Sequence, residues 1–254
     1  MKFIGDYHLH TRVSDGRSDI SDYVKAAKEK GLDEIVISDH SFSTLFFHAT
    51  EKKLKAQRTA IASFAYSGIK VYQGIEGNII GGVLDVPETE IRKLDVLTVG
   101  FHRFITPFEM RGESRFLIIN GFGGTRAKQK LKEKNTEAYI SVLKSYPVDI
   151  VAHLGHRAPV DFKRVCECAE ENGAYIELNA KHLDTLKDGI QDAVASGVSF
   201  IVGTDAHRAD RTGEFKAVEE FIKEQNIPLD RVFGMENRKP VFKNKEGWTY
   251  GRNV

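Results

Sequence analysis

Short apolar segments, all but one ended by a histidine or an acidic residue and separated by amphipathic stretches, recur along this chain and leave few folds open to it. They run Phe3 to Leu9, Glu34 to Ser38, Lys70 to Ile75, Asp95 to Gly100, Val148 to Ala152, Ala174 to Leu178 and Ser199 to Gly203. Their apolar runs are nearly continuous rather than alternating, the pattern of strands covered on both faces of a parallel sheet. Between them, helices are expected over Ile20 to Lys30 (ended by Gly31), Glu51 to Tyr66, Thr136 to Ser145, Phe162 to Glu171 and Leu183 to Ala195. A closing helix is expected over Gly213 to Glu224. Gly81-Gly82 is a turn signal, so Ile79 to Val86 reads as a small hairpin off the sheet. So many strand–helix units point to a closed barrel related to the (β/α)8 type, with an open doubly wound sheet as the alternative.

At 254 residues the chain fits one large α/β domain, 1–254, better than two small ones. Lys plus Arg number 37 against 36 for Asp plus Glu, so no global charge points to nucleic acid or a membrane surface, and any phosphate binding must be local. No apolar run approaches roughly 18 residues, so no membrane span is expected. The two cysteines, Cys166 and Cys168, sit two apart in an expected helix. They therefore face different ways and read as core packing rather than a disulfide or metal pair. So few cysteines fit a reducing cytoplasm.

The segment from about 104 to 135 breaks the rhythm, with Gly112, Gly121, Gly123, Gly124, several aromatics and a basic run from Arg126 to Lys134. An insertion of this length after a strand builds a lid or substrate wall, or else is a surface elaboration or oligomer contact. Gly121-Phe122-Gly123-Gly124 lacks the lysine–serine ending of a phosphate loop, and flexibility is its better explanation.

The chemistry lies where the segments end. His8 and His10 are two apart in an extended segment, so their imidazoles point the same way and can grip one ion together. Asp39-His40, Glu76, His102, His153 and Asp205-Ala206-His207 follow other segments in the same way. In parallel α/β barrels the reactive groups gather at these C-terminal strand ends. Imidazole with carboxylate suits zinc, iron or manganese. One histidine alone is more often structural than a ligand, but a converging set reverses that expectation.

Taken in order, Asp6-Tyr7-His8-Leu9-His10-Thr11 with Ser14-Asp15-Gly16, Ser38-Asp39-His40, Gly74-Ile75-Glu76, Gly100-Phe101-His102, Ala152-His153 and Gly203-Thr204-Asp205-Ala206-His207 resemble the polymerase and histidinol phosphatase (PHP) family. The resemblance runs through nearly the whole chain, from Asp6 to His207. It implies a distorted (β/α)7 TIM-like barrel, a centre of three divalent metal ions (Zn, Mn or Fe) and phosphoester hydrolysis by metal-activated water. Carried over residue by residue, it implies His8, His10, Glu76 and Asp205 around a first ion. Glu76 then bridges to a second ion that also takes His102 and His153, and His40, His207 and Asp15 hold the third. Asp15 could instead sit behind the ligands or assist the attacking water.

Asp6, in phase with the histidine pair, is expected either to orient a ligand imidazole through its second nitrogen or to hydrogen-bond at the strand end. Asp39 reads as support. Arg103, Arg157 and Arg208 each stand within a few residues of a candidate ligand and can clasp a phosphate bidentately. Arg12, His156 and Asn179 are weaker candidates, while His48 and His182 match no family motif and are not expected to be ligands. The function expected is a metal-dependent phosphatase or phosphodiesterase acting on a small phosphorylated metabolite or nucleotide. Exonuclease-like cleavage of short nucleic acids, an amidohydrolase-type metal hydrolase and a non-catalytic metal module are the alternatives.

Overall fold

The computed structural model describes residues 1–102 and 125–250. Seven parallel strands form the frame: β1 (Gly5–Leu9), β2 (Glu34–Ile37), β3 (Lys70–Ile80), β5 (Val96–Gly100), β6 (Ile150–Val151), β7 (Tyr175–Asn179) and β8 (Phe200–Gly203). They are hydrogen-bonded in chain order, and a short β9 (Val232–Phe233) adds parallel to β8. β4 (Val83–Leu84) folds back antiparallel on the end of β3, the hairpin expected around Gly81-Gly82. The curled sheet meets itself where Ala206, just past β8, bridges Leu9 of β1 and accepts the His10 N–H at 2.9 Å. The result is the distorted (β/α)7 TIM-like barrel expected from the family resemblance rather than an open sheet. All five residues of β1, β5 and β7 are buried, which explains their continuous apolar runs.

Helices α1 (Ile20–Lys30), α2 (Glu51–Ala62), α3 (Glu88–Ile91), α4 (Thr125–Ser145), α5 (Phe162–Glu171), α6 (Leu183–Lys187), α7 (Ile190–Ala195) and α8 (Lys216–Glu224) link the strands. Local signals start them: the Thr50 hydroxyl accepts from Lys53 N and the Asp161 carboxylate from Arg164 N, each at 3.2 Å. Several boundaries differ from expectation, with β3 running on to Ile80 and α8 starting at Lys216. The helix after Glu51 stops at Ala62, and the one expected over Leu183 to Ala195 is broken at Asp188-Gly189 into two. The basic run from Arg126 to Lys134 forms the first half of α4 rather than part of an irregular insertion. Of the lid expected at about 104–135, residues 104–124 lie outside the described residues.

Cys166 and Cys168 are free and buried on α5, as expected of core residues. No helix among the described residues is long and apolar enough to cross a membrane. The tail after β9 returns beneath the barrel. There the wholly buried Lys245 pairs with Asp149 at 2.6 Å and donates to the Asp95 and Lys243 carbonyls. Asp149 in turn accepts from Leu97 N at 2.8 Å, so the tail clamps the foot of β5 to that of β6.

Candidate metal centre

The strand ends deliver the candidate ligands to one cluster at the C-terminal mouth of the barrel, buried at His8, His10, Glu76, His153 and Asp205 and half-buried at Asp15, His40, His102 and His207. His8 and His10 lie on the same side of β1, and their Nε2 atoms stand 3.0 Å apart. Glu76 sits among the imidazoles with its two oxygens divided. Oε2 faces His8 Nε2 at 3.5 Å, His10 Nε2 at 3.6 Å and His40 Nδ1 at 3.0 Å. Oε1 faces His153 Nε2 at 2.8 Å and His102 Nε2 at 3.0 Å. Asp15 Oδ2 stands 3.1 Å from His207 Nε2 and 3.6 Å from His40 Nε2. Asp205 Oδ1 is 3.4 Å from both His10 Nε2 and His207 Nδ1.

Two donors about 2.1 Å from one ion lie about 3.4 Å apart at a tetrahedral angle, so these spacings are those of shared coordination shells. Three sets converge closely: His10, Asp15, His40 and His207; His8, His10 and Glu76; and His40, Glu76 and His102. His153 and Asp205 border them. The buried His10 Nδ1, His40 Nδ1 and His102 Nε2 have no hydrogen-bond partner among the described residues. Two of these atoms lie 3.0 Å from a Glu76 oxygen without being aimed at it. Orphaned buried nitrogens are costly, and a cation between donors satisfies them where an N–H···O bond does not. The donor set therefore fits divalent ions.

The electrostatics agree. Burial alone would raise Glu76, but the His102 and His8 imidazoles hold its carboxyl well below the usual range. Asp205 is likewise depressed against burial, chiefly by His10 and His182. Burial pushes His10 down to about 3, helped by His40 and His207, which leaves it neutral and able to ligate. Burial also opposes the charge on His40, but Asp15 and Glu76 overcome it and raise that imidazole to about 10.

Glycine at two strand ends makes room for the cluster. A Cβ on Gly100 would stand 2.9 Å from His153 Cε1, and one on Gly203 would stand 2.2 Å from Glu177 Oε1 and 2.9 Å from His8 Cβ. His153 and Asp205 themselves adopt left-handed backbone, with φ of 31° and 52°. Such strain in non-glycine residues collects where side chains are aimed for function.

Glu177, on β7, is the residue that sequence reasoning missed. Its Oε1 accepts from His8 Nδ1 at 2.8 Å, and its Oε2 accepts from His153 N and Asn179 Nδ2, each at 2.9 Å. An acidic residue inside a buried apolar strand was the available signal. Of the two tasks expected of Asp6, hydrogen bonding at the strand end is the one seen: it accepts from Thr204 Oγ1 at 2.6 Å, Gly213 N at 2.9 Å and Thr204 N at 3.0 Å rather than from a ligand imidazole. Those donors lie across the barrel seam, so Asp6 fixes the loop that carries Asp205 and His207. Burial raises Asp6 to about 6 against those hydrogen bonds. Asp39 is a support, accepting from Thr11 N at 2.7 Å, Ser14 Oγ at 2.6 Å and Gln57 Nε2 at 2.6 Å, and so holding the loop that carries Asp15. Asn78 accepts from His102 Nδ1 at 2.5 Å, and Asp85 grips Asn78 from behind.

The cluster floors a cavity of about 520 Å³. Arg157, His156 and His182 line it, so His182 comes to the site although no motif marked it; its Nε2 stands 3.5 Å from Asp205 Oδ2. His48 is not among the lining residues. The Arg208 guanidinium forks onto Asp210 at 3.1 and 3.0 Å and lines a neighbouring cavity instead. Arg12 is held by the Arg17 carbonyl and Asp19, and Arg103 lies outside the described residues.

The PHP domain profile matches residues 6–194. A probable phosphatase of Shewanella frigidimarina is 30% identical over 256 residues, covering 94% of this chain and 91% of its own. The chain belongs to the PHP family. A probable phosphatase of Acetivibrio thermocellus is 29% identical over 254 residues and covers 94% of each chain. Among solved structures, a histidinol phosphate phosphatase of Lactococcus lactis, complexed with zinc, L-histidinol and phosphate, superposes with a TM-score of 0.64. It shares 18% identity and covers 96% of this chain and 98% of that one. This PHP protein is accordingly a metal-dependent phosphoesterase, a hydrolase acting on phosphoric esters.

Proposed function

We propose that this PHP enzyme hydrolyses a small phosphorylated metabolite or nucleotide at a centre of three divalent ions. The ligands would be His8, His10, Asp15, His40, Glu76, His102, His153, Asp205 and His207, with zinc, manganese or iron suiting the donors. The supporting observation is the division of Glu76, one oxygen toward His8, His10 and His40 and the other toward His102 and His153. A carboxylate shared in this way lowers the repulsion between neighbouring cations. Bound divalent ions would neutralise phosphate charge and acidify an attacking water.

The chain's own groups complete the chemistry. Asp15 lines the cavity, and although burial opposes it, His207 and His40 keep its carboxyl ionised, as a ligand of an ion must be; standing behind the ligands instead, it would assist the attacking water. Arg157 faces the same cavity and would hold phosphate oxygens, with Lys181 beside it at the rim. Glu177 keeps His8 in the tautomer whose Nε2 lone pair points inward.

Elemental analysis and a screen of phosphorylated metabolites and short nucleic acids test the proposal. The expected result is about three metal equivalents and turnover of a small ester after metal loading. Protein that stays metal-free and inert with zinc, manganese and iron would overturn it. Turnover falling steeply with salt would instead mark an extended nucleic-acid substrate.

A further inference from the structure

The lining of the cavity at the donor cluster includes two unlike groups. Arg157, Lys181 and His182 are basic or imidazole side chains, whereas Leu45, Phe46 and Phe47 are apolar. Phe46 is 80% exposed and Phe47 55% exposed, unusual for large apolar side chains on a short loop. Phe46 also holds φ at 74°, a left-handed conformation that a bulky residue adopts only when the surrounding chain imposes it.

The surrounding chain does impose it. At the near end, Ser41 and Ser43 donate to Asp85 and the Thr44 hydroxyl accepts from Asn78 Nδ2. At the far end, Ala49 N donates to the His40 carbonyl at 3.0 Å and Lys53 Nζ to the His48 carbonyl at 2.8 Å. The phenylalanines are thus presented by a loop pinned on both sides. Its anchors are Asn78, which also orients His102, and His40, itself one of the clustered donors.

We infer that Phe46 and Phe47 are specificity residues that stack on the leaving group, and that the substrate is a phosphate monoester of an alcohol bearing a flat ring without positive charge. This inference rests on the phosphoesterase function proposed above. With phosphate against the donor floor, the ester substituent must extend toward the mouth, where the phenylalanines offer π faces. A polyol there would bury hydroxyls against apolar surface without partners. An ammonium group would meet Arg157 and Lys181, because among the described residues the carboxylates lining the cavity are Asp15, Glu76 and Asp205 of the donor cluster. In the reaction a water oxygen bonds to phosphorus, the ester P–O bond breaks, and one water proton ends on the released alcohol.

The test compares 2-phenylethyl phosphate, glycerol 3-phosphate and 2-amino-3-phenylpropyl phosphate, primary alkyl esters with similar leaving groups. The metal-loaded wild-type enzyme and its Phe46→Ser and Phe47→Ser variants are assayed on each. In the wild type, kcat/KM for the uncharged ring ester is expected to exceed both others by roughly tenfold, the scale of one stacked ring. In each serine variant that preference shrinks, with the change in KM rather than kcat. Both side chains are exposed, so metal content and thermal unfolding serve as folding controls. Comparable kcat/KM for the ring and glycerol esters in the wild type, or an unchanged ratio in both variants, would overturn the inference while leaving the phosphoesterase intact. Absence of turnover on all three esters and across the wider metabolite screen would remove the phosphoesterase proposal as well.

Discussion

Glu177→Gln changes one oxygen to an amide nitrogen and should weaken metal binding without disturbing the barrel. Glu177 accepts three hydrogen bonds in the buried wall behind the cluster, from His8 Nδ1, His153 N and Asn179 Nδ2. A glutamine cannot keep all three. With its oxygen toward His153 and Asn179, its NH2 faces His8 Nδ1, which must then accept. The His8 proton moves to Nε2, which lies 3.0 Å from His10 Nε2 and is the atom meant to hold an ion. With the amide reversed, the NH2 meets the His153 N–H, and a buried donor without a partner costs about 1–3 kcal/mol. Loss of a group that orients a ligand imidazole typically weakens metal binding about 10- to 100-fold, or about 1.4 to 2.7 kcal/mol. Competition with a calibrated chelator, read by elemental analysis, measures this directly. Wild-type affinity in Glu177→Gln, with normal circular dichroism, would refute the assignment of Glu177 as the group that sets the His8 tautomer.

Glu76→Ala should empty more than one metal position, since Glu76 faces five imidazoles, whereas His40→Ala should chiefly affect one; equal metal loss from both would contradict the divided-carboxylate arrangement. Metal binding should release protons at neutral pH, because His40 in the metal-free protein is raised to about 10. The sign is definite: its charge stabilises the metal-free fold fully below about 6.5, the ordinary histidine value, and that contribution is lost as pH climbs toward 10. Metal affinity should rise over the same window, as calorimetry in buffers of different ionisation heat would show. Lys245→Met leaves Asp149 charged and buried, at a cost of about 3–5 kcal/mol, which is a fall in Tm of about 6–20 °C by scanning calorimetry. Arg208→Ala should leave kcat/KM within about twofold, because that guanidinium is exposed and held by Asp210.

Much of the centre was legible because the candidate ligands close or follow apolar runs. His8 and Glu76 lie within β1 and β3, while His10, His40, His102, His153, Asp205 and His207 come just after a strand, and a parallel barrel collects such positions at one rim. What was not legible depends on pairs distant in sequence. Glu177 lies 169 residues from His8, and Lys245 of the tail answers Asp149 just before β6. Asp6 was in phase with His8 and His10, yet its carboxylate turns to Thr204 and Gly213, 198 and 207 residues away. Arg208 is the local exception: it follows a candidate ligand directly but is captured by Asp210 two residues on.

By itself, then, the sequence of this PHP enzyme determined the alternating architecture, the donor types and the rim at which they gather, because periodicity and strand-end position are local properties. Only the tertiary structure decided which oxygen of Glu76 meets which imidazole, which carboxylate sets the His8 tautomer, and that Phe46 and Phe47 stand beside the cluster. Those outcomes turn on ångström-scale distances between segments far apart in the chain, which the curvature of the closed barrel alone brings together.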